Sequence, residues 1–218
     1  MTRSELTETL RQGGLALGLQ LIDDQVNQLL DYADLIQKWN KVYNLTSVSA
    51  AHEVLTHHLL DSLAVVQPLR RQTEGKQIRL LDVGTGAGLP AVAIAVCCPE
   101  IDVIGVDAVA KKAAFLQQVA AALRLENLQS IHGRVENLSV PYDVVASRAF
   151  ASLADFVNVS SKSLLDGGVW MAMKGKHPDA EVAQLPAWAT VFHVEQLMVP
   201  GLQAERCIVW LKKTPDLP

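Results

Sequence analysis

Leu81-Asp82-Val83-Gly84-Thr85-Gly86-Ala87-Gly88-Leu89-Pro90 is the stretch on which the reading of the fold turns. An apolar run from Ile78 to Val83 ends in three alternating glycines, and Pro90 then opens a second apolar run that lasts to Cys98. This is the pattern of a buried strand passing through a tight turn into a helix with proline at its first position. Glycines at such a turn permit positive φ and let a ligand approach the backbone. The helix N-terminus beyond them offers unpaired N–H groups and the positive end of a dipole to an anion.

The dinucleotide fingerprint G-x-G-x-x-G would need a glycine at position 89, which is Leu89, and no phosphate loop ending in GK[ST] is present. The spacing is G-x-G-x-G. Lacking a pyrophosphate signature, it favours a ligand whose anion is a single carboxylate, as at the methionine end of S-adenosylmethionine. Asp107 follows Gly84 by 23 positions and ends a second apolar run. An acid at that place in a doubly wound sheet accepts the hydroxyls of an adenosyl ribose. The alternative is a structural turn with Asp107 capping the next helix. Asp82 is a second candidate, for the turn itself or for the cofactor amine.

Outward from the loop, strand and helix alternate. Strands are expected at Ile78–Val83, Asp102–Val106, Leu128–His132, Asp143–Ser147 and Gly168–Met173, and helices at Pro90–Cys98, Ala110–Leu123 and Leu153–Leu165. Repeated strand–helix units imply an α/β fold, a parallel sheet with helices on both faces. Thr190–Val199 and Arg206–Lys212 have no helix between them and read as a terminal antiparallel hairpin. Residues 214–218 are expected to fray. Before the sheet the pattern is helical. Leu29, Leu30, Ala33, Ile36 and Trp39 make one apolar face, with Asp23 or Asp24 as N-cap and Asn40 and Asn44 at the helix end. A further helix is expected from His52 to Val66, stopping near Pro68. The division is residues 1–71, a helical extension, and 72–218, a cofactor-binding domain.

The 218 residues are 50% hydrophobic and 19% charged, enough apolar material for a full core and too little charge for long disorder. The formal charge of −4 argues against a dedicated nonspecific nucleic-acid binder, so any RNA contact must use a local basic patch. Met1–Leu10 has no apolar core of a secretory leader, and the longest apolar run, Leu89–Cys98, is too short for a bilayer. Cys97, Cys98 and Cys207 have neither disulfide nor zinc-ligand spacing. The expectation is a cytoplasmic protein with buried free cysteines, no metal and no membrane association, acting as a monomer.

Four segments together carry a more specific resemblance. They are the loop Asp82–Pro90; Lys38-Trp39-Asn40-Lys41-Val42-Tyr43-Asn44-Leu45-Thr46-Ser47; His57-His58-Leu59-Leu60-Asp61-Ser62; and Ser147-Arg148-Ala149-Phe150-Ala151-Ser152-Leu153. In this order, spanning nearly the whole chain, they resemble the bacterial 16S rRNA guanine-N7 methyltransferases, the RsmG or GidB family. The resemblance implies a class I methyltransferase fold, a Rossmann-like and mostly parallel sheet. It implies methyl transfer from S-adenosylmethionine to N7 of guanine 527 in 16S rRNA, with the small ribosomal subunit as partner. It places cofactor contacts at Gly84, Gly86, Gly88 and Leu89 of the loop, at Asp107, at Val135 and Glu136 beside the adenine, and at Arg148 in the cofactor and target pocket. Ala91 departs from the pattern, standing where many relatives have glycine.

Guanine N7 attacks with an existing lone pair, so the expected chemistry is in-line displacement without an obligatory general base. The enzyme holds the nitrogen against the methyl carbon. Arg148, as a permanent donor, is the candidate catalytic residue; its structural alternative is a salt bridge to Glu136 or Asp107. Basic residues near the carboxyl ends of the strands are Lys111, Lys112, Arg134, Arg148, Lys174 and Lys176. Lys174 and Lys176 are the preferred RNA contacts, whereas Lys111 and Lys112 fit a solvated helix start equally well. His57 and His58, being adjacent, are expected not to face one ligand, and Trp39 is expected in the core. Competing classes are a small-molecule methyltransferase, an NAD-dependent oxidoreductase and a non-enzymatic interaction protein.

Overall fold

The computed structural model describes residues 1–48, 50–148 and 150–214. The chain opens with helix α1, Arg3–Ala16, held by a reciprocal cap: the Thr2 hydroxyl accepts from the Glu5 N–H, and the Glu5 carboxylate accepts from the Thr2 N–H. Helix α2, Asp23–Tyr43, follows and ends at Asn44 in the left-handed conformation. Its N-cap is Ile22, not Asp23 or Asp24. The two acids lie one and two residues inside, where they face the positive dipole end, and the Gln25 side chain accepts from the Ile22 N–H in place of a cap.

The expected helix from His52 to Val66 is broken. Helix α3, Ala51–Val54, runs into a π-helical turn over Leu55–Leu60 and then into α4, Asp61–Leu63. Helix α5, Val66–Thr73, starts afresh and carries Pro68 through its first turn. Proline is tolerated there because the first N–H groups have no helical partner, so Pro68 does not end the segment.

The sheet comprises β1 Ile78–Val83, β2 Ile101–Asp107, β3 Leu128–His132, β4 Tyr142–Ser147, β5 Leu164–Lys174, β6 Ala189–Leu197 and β7 Arg206–Lys213. Its order is β3-β2-β1-β4-β5-β7-β6. The first five strands are parallel, and β7 runs antiparallel to both β5 and β6. The hairpin read in the sequence is present, but its second strand is the one that joins the sheet. Thr214 does not fray: its N–H and hydroxyl donate to the Trp188 and Ala187 carbonyls. The rest of the expected frayed tail lies outside the described residues.

Helices α6 Ala91–Cys97 and α7 Ala110–Leu123 cover one face. Pro90 sits at the N-cap of α6, so the helix starts at Ala91, one residue after the expected start. Gly105 lets α7 press on β2: a Cβ there would stand 2.3 Å from Leu116 Cδ2. The helices before β1 pack onto this same layer, so Leu10, Leu29 and Ile36 share a core with Val92, Phe115 and Trp210. The opposite face carries α8, Leu153–Ser160, and the short α9, Asp179–Val182. Helix α8 ends five residues before the expected Leu165. The Ser160 hydroxyl donates back to Phe156 O and accepts from the buried Trp170 Nε1, and a 3-10 turn over Ser161–Ser163 leads into β5. Cys97, Cys98 and Cys207 are all buried and free. Among the described residues no helix is long and apolar enough to cross a membrane.

Candidate active site: two cavities at the carboxyl edge of the sheet

The carboxyl ends of β1, β2 and β4 converge where strand order reverses, between β1 and β4, the place at which open α/β sheets bind ligands. A cavity of about 170 Å³ opens there, lined by Gly84, Asp107, Val135, Glu136 and Phe150. Gly84 has φ 68° and nothing within 4 Å of the position a Cβ would take, so the backbone itself is the cavity wall. Gly86 and Gly88 are also at positive φ, but Gly88 faces inward: a Cβ would stand 2.8 Å from Val92 and 2.9 Å from Leu116. The three glycines therefore differ in kind, one open to ligand and one closed against the core. Leu89 is 4% exposed, and its N–H donates to the Thr85 carbonyl at 3.1 Å.

Asp107 holds the cavity together. One carboxylate oxygen accepts from the Gly86 N–H at 3.0 Å and the other from the Val109 N–H at 2.8 Å. It thus joins the glycine loop to the start of α7. A carboxylate has about four acceptor positions, so two remain for hydroxyls of a ligand. The structural and the ligand-binding readings of Asp107 are compatible. Val135 is buried and Glu136 is exposed, on a 3-10 turn after β3.

Asp82 is fully buried, and neither oxygen completes a hydrogen bond among the described residues. Burial pushes its pKa up to about 7, with the Thr85 hydroxyl, the Ala91 N–H and the Arg148 charge opposing the rise. Beside it the Tyr32 hydroxyl donates to Ala87 O, so α2 pins the glycine loop from below. Burial raises the Tyr32 pKa far beyond the ordinary phenol value. An orphaned acid under an open glycine loop fits a ligand that brings a cationic donor, which is what the ammonium of S-adenosylmethionine is.

A second cavity of about 410 Å³ lies beyond β4. Its walls include His57, His58, Asp61, Arg148, Lys174 and Arg206. Arg148 Nη1 donates to Asp61 Oδ2 at 3.2 Å and to the His57 carbonyl at 3.3 Å, while Arg206 Nε donates to Asp61 Oδ1 at 2.8 Å. The expected alternative for Arg148, a bridge to Glu136 or Asp107, is replaced by this one, because the π-helical turn brings Asp61 across the sheet edge. His57 and His58 both border this cavity, but the His58 ring is committed within the fold, in line with the expectation that adjacent histidines do not face one ligand. His58 is buried, with Nε2 2.7 Å from the Thr46 hydroxyl, and burial together with the Arg148 charge lowers its pKa to about 4.

The basic edge is less free than its sequence suggests. Lys174 is 12% exposed and its ammonium donates to Glu181 at 2.7 Å and to Phe150 O. In this arrangement it ties β5 to α9. Lys176 is exposed. Lys111 reaches the Tyr43 carbonyl, Lys112 lies 4.0 Å from Asp107, and Arg134 is exposed. Trp39 packs half-buried against Phe115 and Tyr43, as expected for a core ring. Asp61, Arg206 and Phe150 were not among the predicted site residues. Asp61 and Phe150 stand inside two of the motif segments; Arg206 had no signal beyond its place at the start of a strand.

The sequence profile described as GidB, rRNA small subunit methyltransferase G, matches residues 25–209. A protein of Acidovorax ebreus (strain TPSY) named Ribosomal RNA small subunit methyltransferase G is 60% identical over 220 residues, 97% of each chain. One of the same name from Polaromonas sp. (strain JS666 / ATCC BAA-500) is 60% identical over 209 residues, 94% of this chain and 92% of its own. Among solved structures, TrmN from Thermus thermophilus aligns with TM-score 0.54 and 18% identity over 73% of this chain and 53% of its own. Coclaurine N-methyltransferase bound to N-methylheliamine and SAH aligns with TM-score 0.55 and 9% identity, over 90% and 75%. At those identities the likeness establishes the fold, that of the class I methyltransferases.

Proposed function

The chain belongs to the rRNA small subunit methyltransferase G (GidB) family, and from that premise we propose that it methylates N7 of a guanine in small-subunit rRNA, guanine 527 of the 16S molecule, using S-adenosylmethionine. The methyl group arrives on a sulfonium, which needs no activation by the protein. Gly84 offers backbone to the methionine end, and Asp82 receives its ammonium. Asp107 takes the ribose hydroxyls, and Val135, Glu136 and Phe150 bound the adenine. The second cavity takes the target nucleotide. The helices of residues 1–71 complete that cavity, since Asp61 and both histidines come from them.

One observation carries the mechanistic part of this reading. Among the described residues, no carboxylate lining the target cavity is free to take a proton: both oxygens of Asp61 hold arginines. His58 is committed to Thr46 and to the His57 carbonyl. What the cavity presents is guanidinium and the His57 ring, whose Nδ1 faces the Glu53 carbonyl. A nucleophile that must lose a proton would find no free carboxylate, whereas guanine N7 needs only to be held in line. Arg148, at the edge of the target cavity, orients the target nucleotide through fixed donors.

The test is transfer of labelled methyl from S-adenosylmethionine to unmodified small subunits, followed at single turnover from about pH 6 to pH 9. The reading predicts labelled RNA and a flat profile. A steep acidic limb removed by substituting a carboxylate or histidine would point to an amine or carbon target. Label found only on metabolites would move the protein to the small-molecule methyltransferases.

A further inference from the structure

Asp61 is 3% exposed and comes from the junction of the π-helical turn with α4, yet it reaches two arginines from separate strands of the sheet. Arg148 follows β4 and Arg206 begins β7. Each carboxylate oxygen takes one of them, at 3.2 and 2.8 Å. Two guanidiniums are thereby fixed on one wall of the 410 Å³ cavity, their side chains 23% and 25% exposed. Arg148 spends only Nη1, on Asp61 and the His57 carbonyl; Arg206 spends Nε on Asp61 and Nη1 on the Glu205 carbonyl. The remaining N–H groups have no protein partner among the described residues.

Charge and shape both point to an anion. Two arginines against one aspartate leave a net positive charge here, while the Lys174–Glu181 pair cancels itself. The chain as a whole is at −4, so this is a local exception. Among the described residues the cavity walls hold no Phe, Tyr or Trp on which a base could stack, and Gly175 leaves one side open, with nothing nearer than 4.0 Å to a Cβ. Two planar forks at a fixed spacing suit the oxygens of a phosphate diester better than a flat base edge.

We propose that Asp61 is a positioning residue that sets the spacing of Arg148 and Arg206 so that together they grip one backbone phosphate of the RNA beside the target nucleotide. This rests on the rRNA reading above and adds to it a residue and a contact class. Phosphate contacts fix register and orientation of the strand without reading sequence. The guanine is then delivered in line by its own backbone.

The sign of one substitution separates positioning from simple charge. Asp61→Asn removes a negative charge from an RNA-facing wall, so net charge alone predicts tighter binding. Positioning predicts the reverse, because an amide accepts on only one oxygen and cannot hold two arginines. The measurements are the concentration of unmodified small subunits giving half-maximal single-turnover rate, the rate at saturation, and the S-adenosylmethionine dissociation constant by calorimetry. For Asp61→Asn the half-saturating concentration should rise by about tenfold or more, with the cofactor constant within about twofold of wild type. Tighter or unchanged subunit binding with intact cofactor binding overturns the proposal.

Should Asp61→Asn lose cofactor binding through misfolding, Arg206→Gln decides, since it frees one Asp61 oxygen and leaves the Arg148 pair in place. It should weaken subunit binding and reduce the slope of log affinity against log salt by about one phosphate contact. An unaltered slope overturns the proposal. Failure of wild-type protein to bind or methylate subunits would instead sink the rRNA reading itself.

Discussion

Gly84 and Gly88 are four residues apart in one loop, and alanine at each should do opposite things. At Gly84 the backbone has φ 68° and the Cβ would enter empty space, so the fold loses only the left-handed penalty, about 1–2 kcal/mol. The same methyl group stands in the wall of the cofactor cavity, where the ligand must touch backbone, so cofactor binding should be lost. At Gly88 the penalty for φ 84° is joined by contacts of 2.8 Å to Val92 and 2.9 Å to Leu116, with the Tyr32 hydroxyl at 3.3 Å. Forcing a methyl into that packing adds about 1–3 kcal/mol, for a total of roughly 2–5 kcal/mol. Urea denaturation of the ligand-free protein measures the stability, and titration calorimetry with S-adenosylmethionine measures binding. Gly84→Ala should keep most of its stability and lose affinity; Gly88→Ala should lose stability first. The reasoning is refuted if Gly84→Ala binds the cofactor as wild type does, or if the two variants lose equal stability.

Asp107→Ala should weaken the cofactor by roughly 2–4 kcal/mol through loss of charged hydrogen bonds to its hydroxyls; an unchanged dissociation constant would reduce Asp107 to the tie it already makes between Gly86 and Val109. Asp82 has its folded pKa raised from the ordinary carboxylate value to about 7, so the folded state holds the extra proton between about pH 4 and 7 and stability falls as pH rises through that window. Asp82→Asn should flatten that fall and make the ligand-free protein more stable than wild type at pH 8, by several kcal/mol at most, while weakening the cofactor; denaturation midpoints at pH 5 and pH 8 check this. Lys176→Ala should lower the salt dependence of subunit binding, whereas Lys174→Ala should leave it alone and cost stability through loss of the part-buried pair with Glu181.

The strands were legible because buried parallel strands are short apolar runs with sharp ends, and β1 and β3 fall on the expected residues. The glycine loop and Asp107 were legible because turn geometry and strand-end chemistry depend on residues close in sequence. Helix ends were less so: Ser160 ends α8 through side-chain bonds that no apolar period records, and Pro68 is harmless only because α5 begins two residues earlier. The π-helical turn at Leu55–Leu60 left no mark in the pattern, yet it decides where His57, His58 and Asp61 point. Long-range pairs were out of reach for the same reason. Arg148 was picked out by position, but its partner Asp61 lies 87 residues away and Arg206 another 145 from that aspartate. Lys174 shows the converse, a correct strand-end position whose charge is spent on Glu181, a neighbour that only the turn after β5 reveals.

The account stands on the atom that receives the methyl group, and one measurement addresses it directly. Small subunits lacking the modification are methylated by the purified protein with labelled S-adenosylmethionine, the RNA is digested to nucleosides, and the labelled product is identified and mapped. The account predicts a single labelled species, 7-methylguanosine, at guanine 527 of the 16S RNA. Label on an exocyclic amine, on a pyrimidine carbon or on ribose would contradict it, because those atoms need a proton removed and, among the described residues, the Asp61–Arg148–Arg206 cavity offers no free carboxylate to remove it.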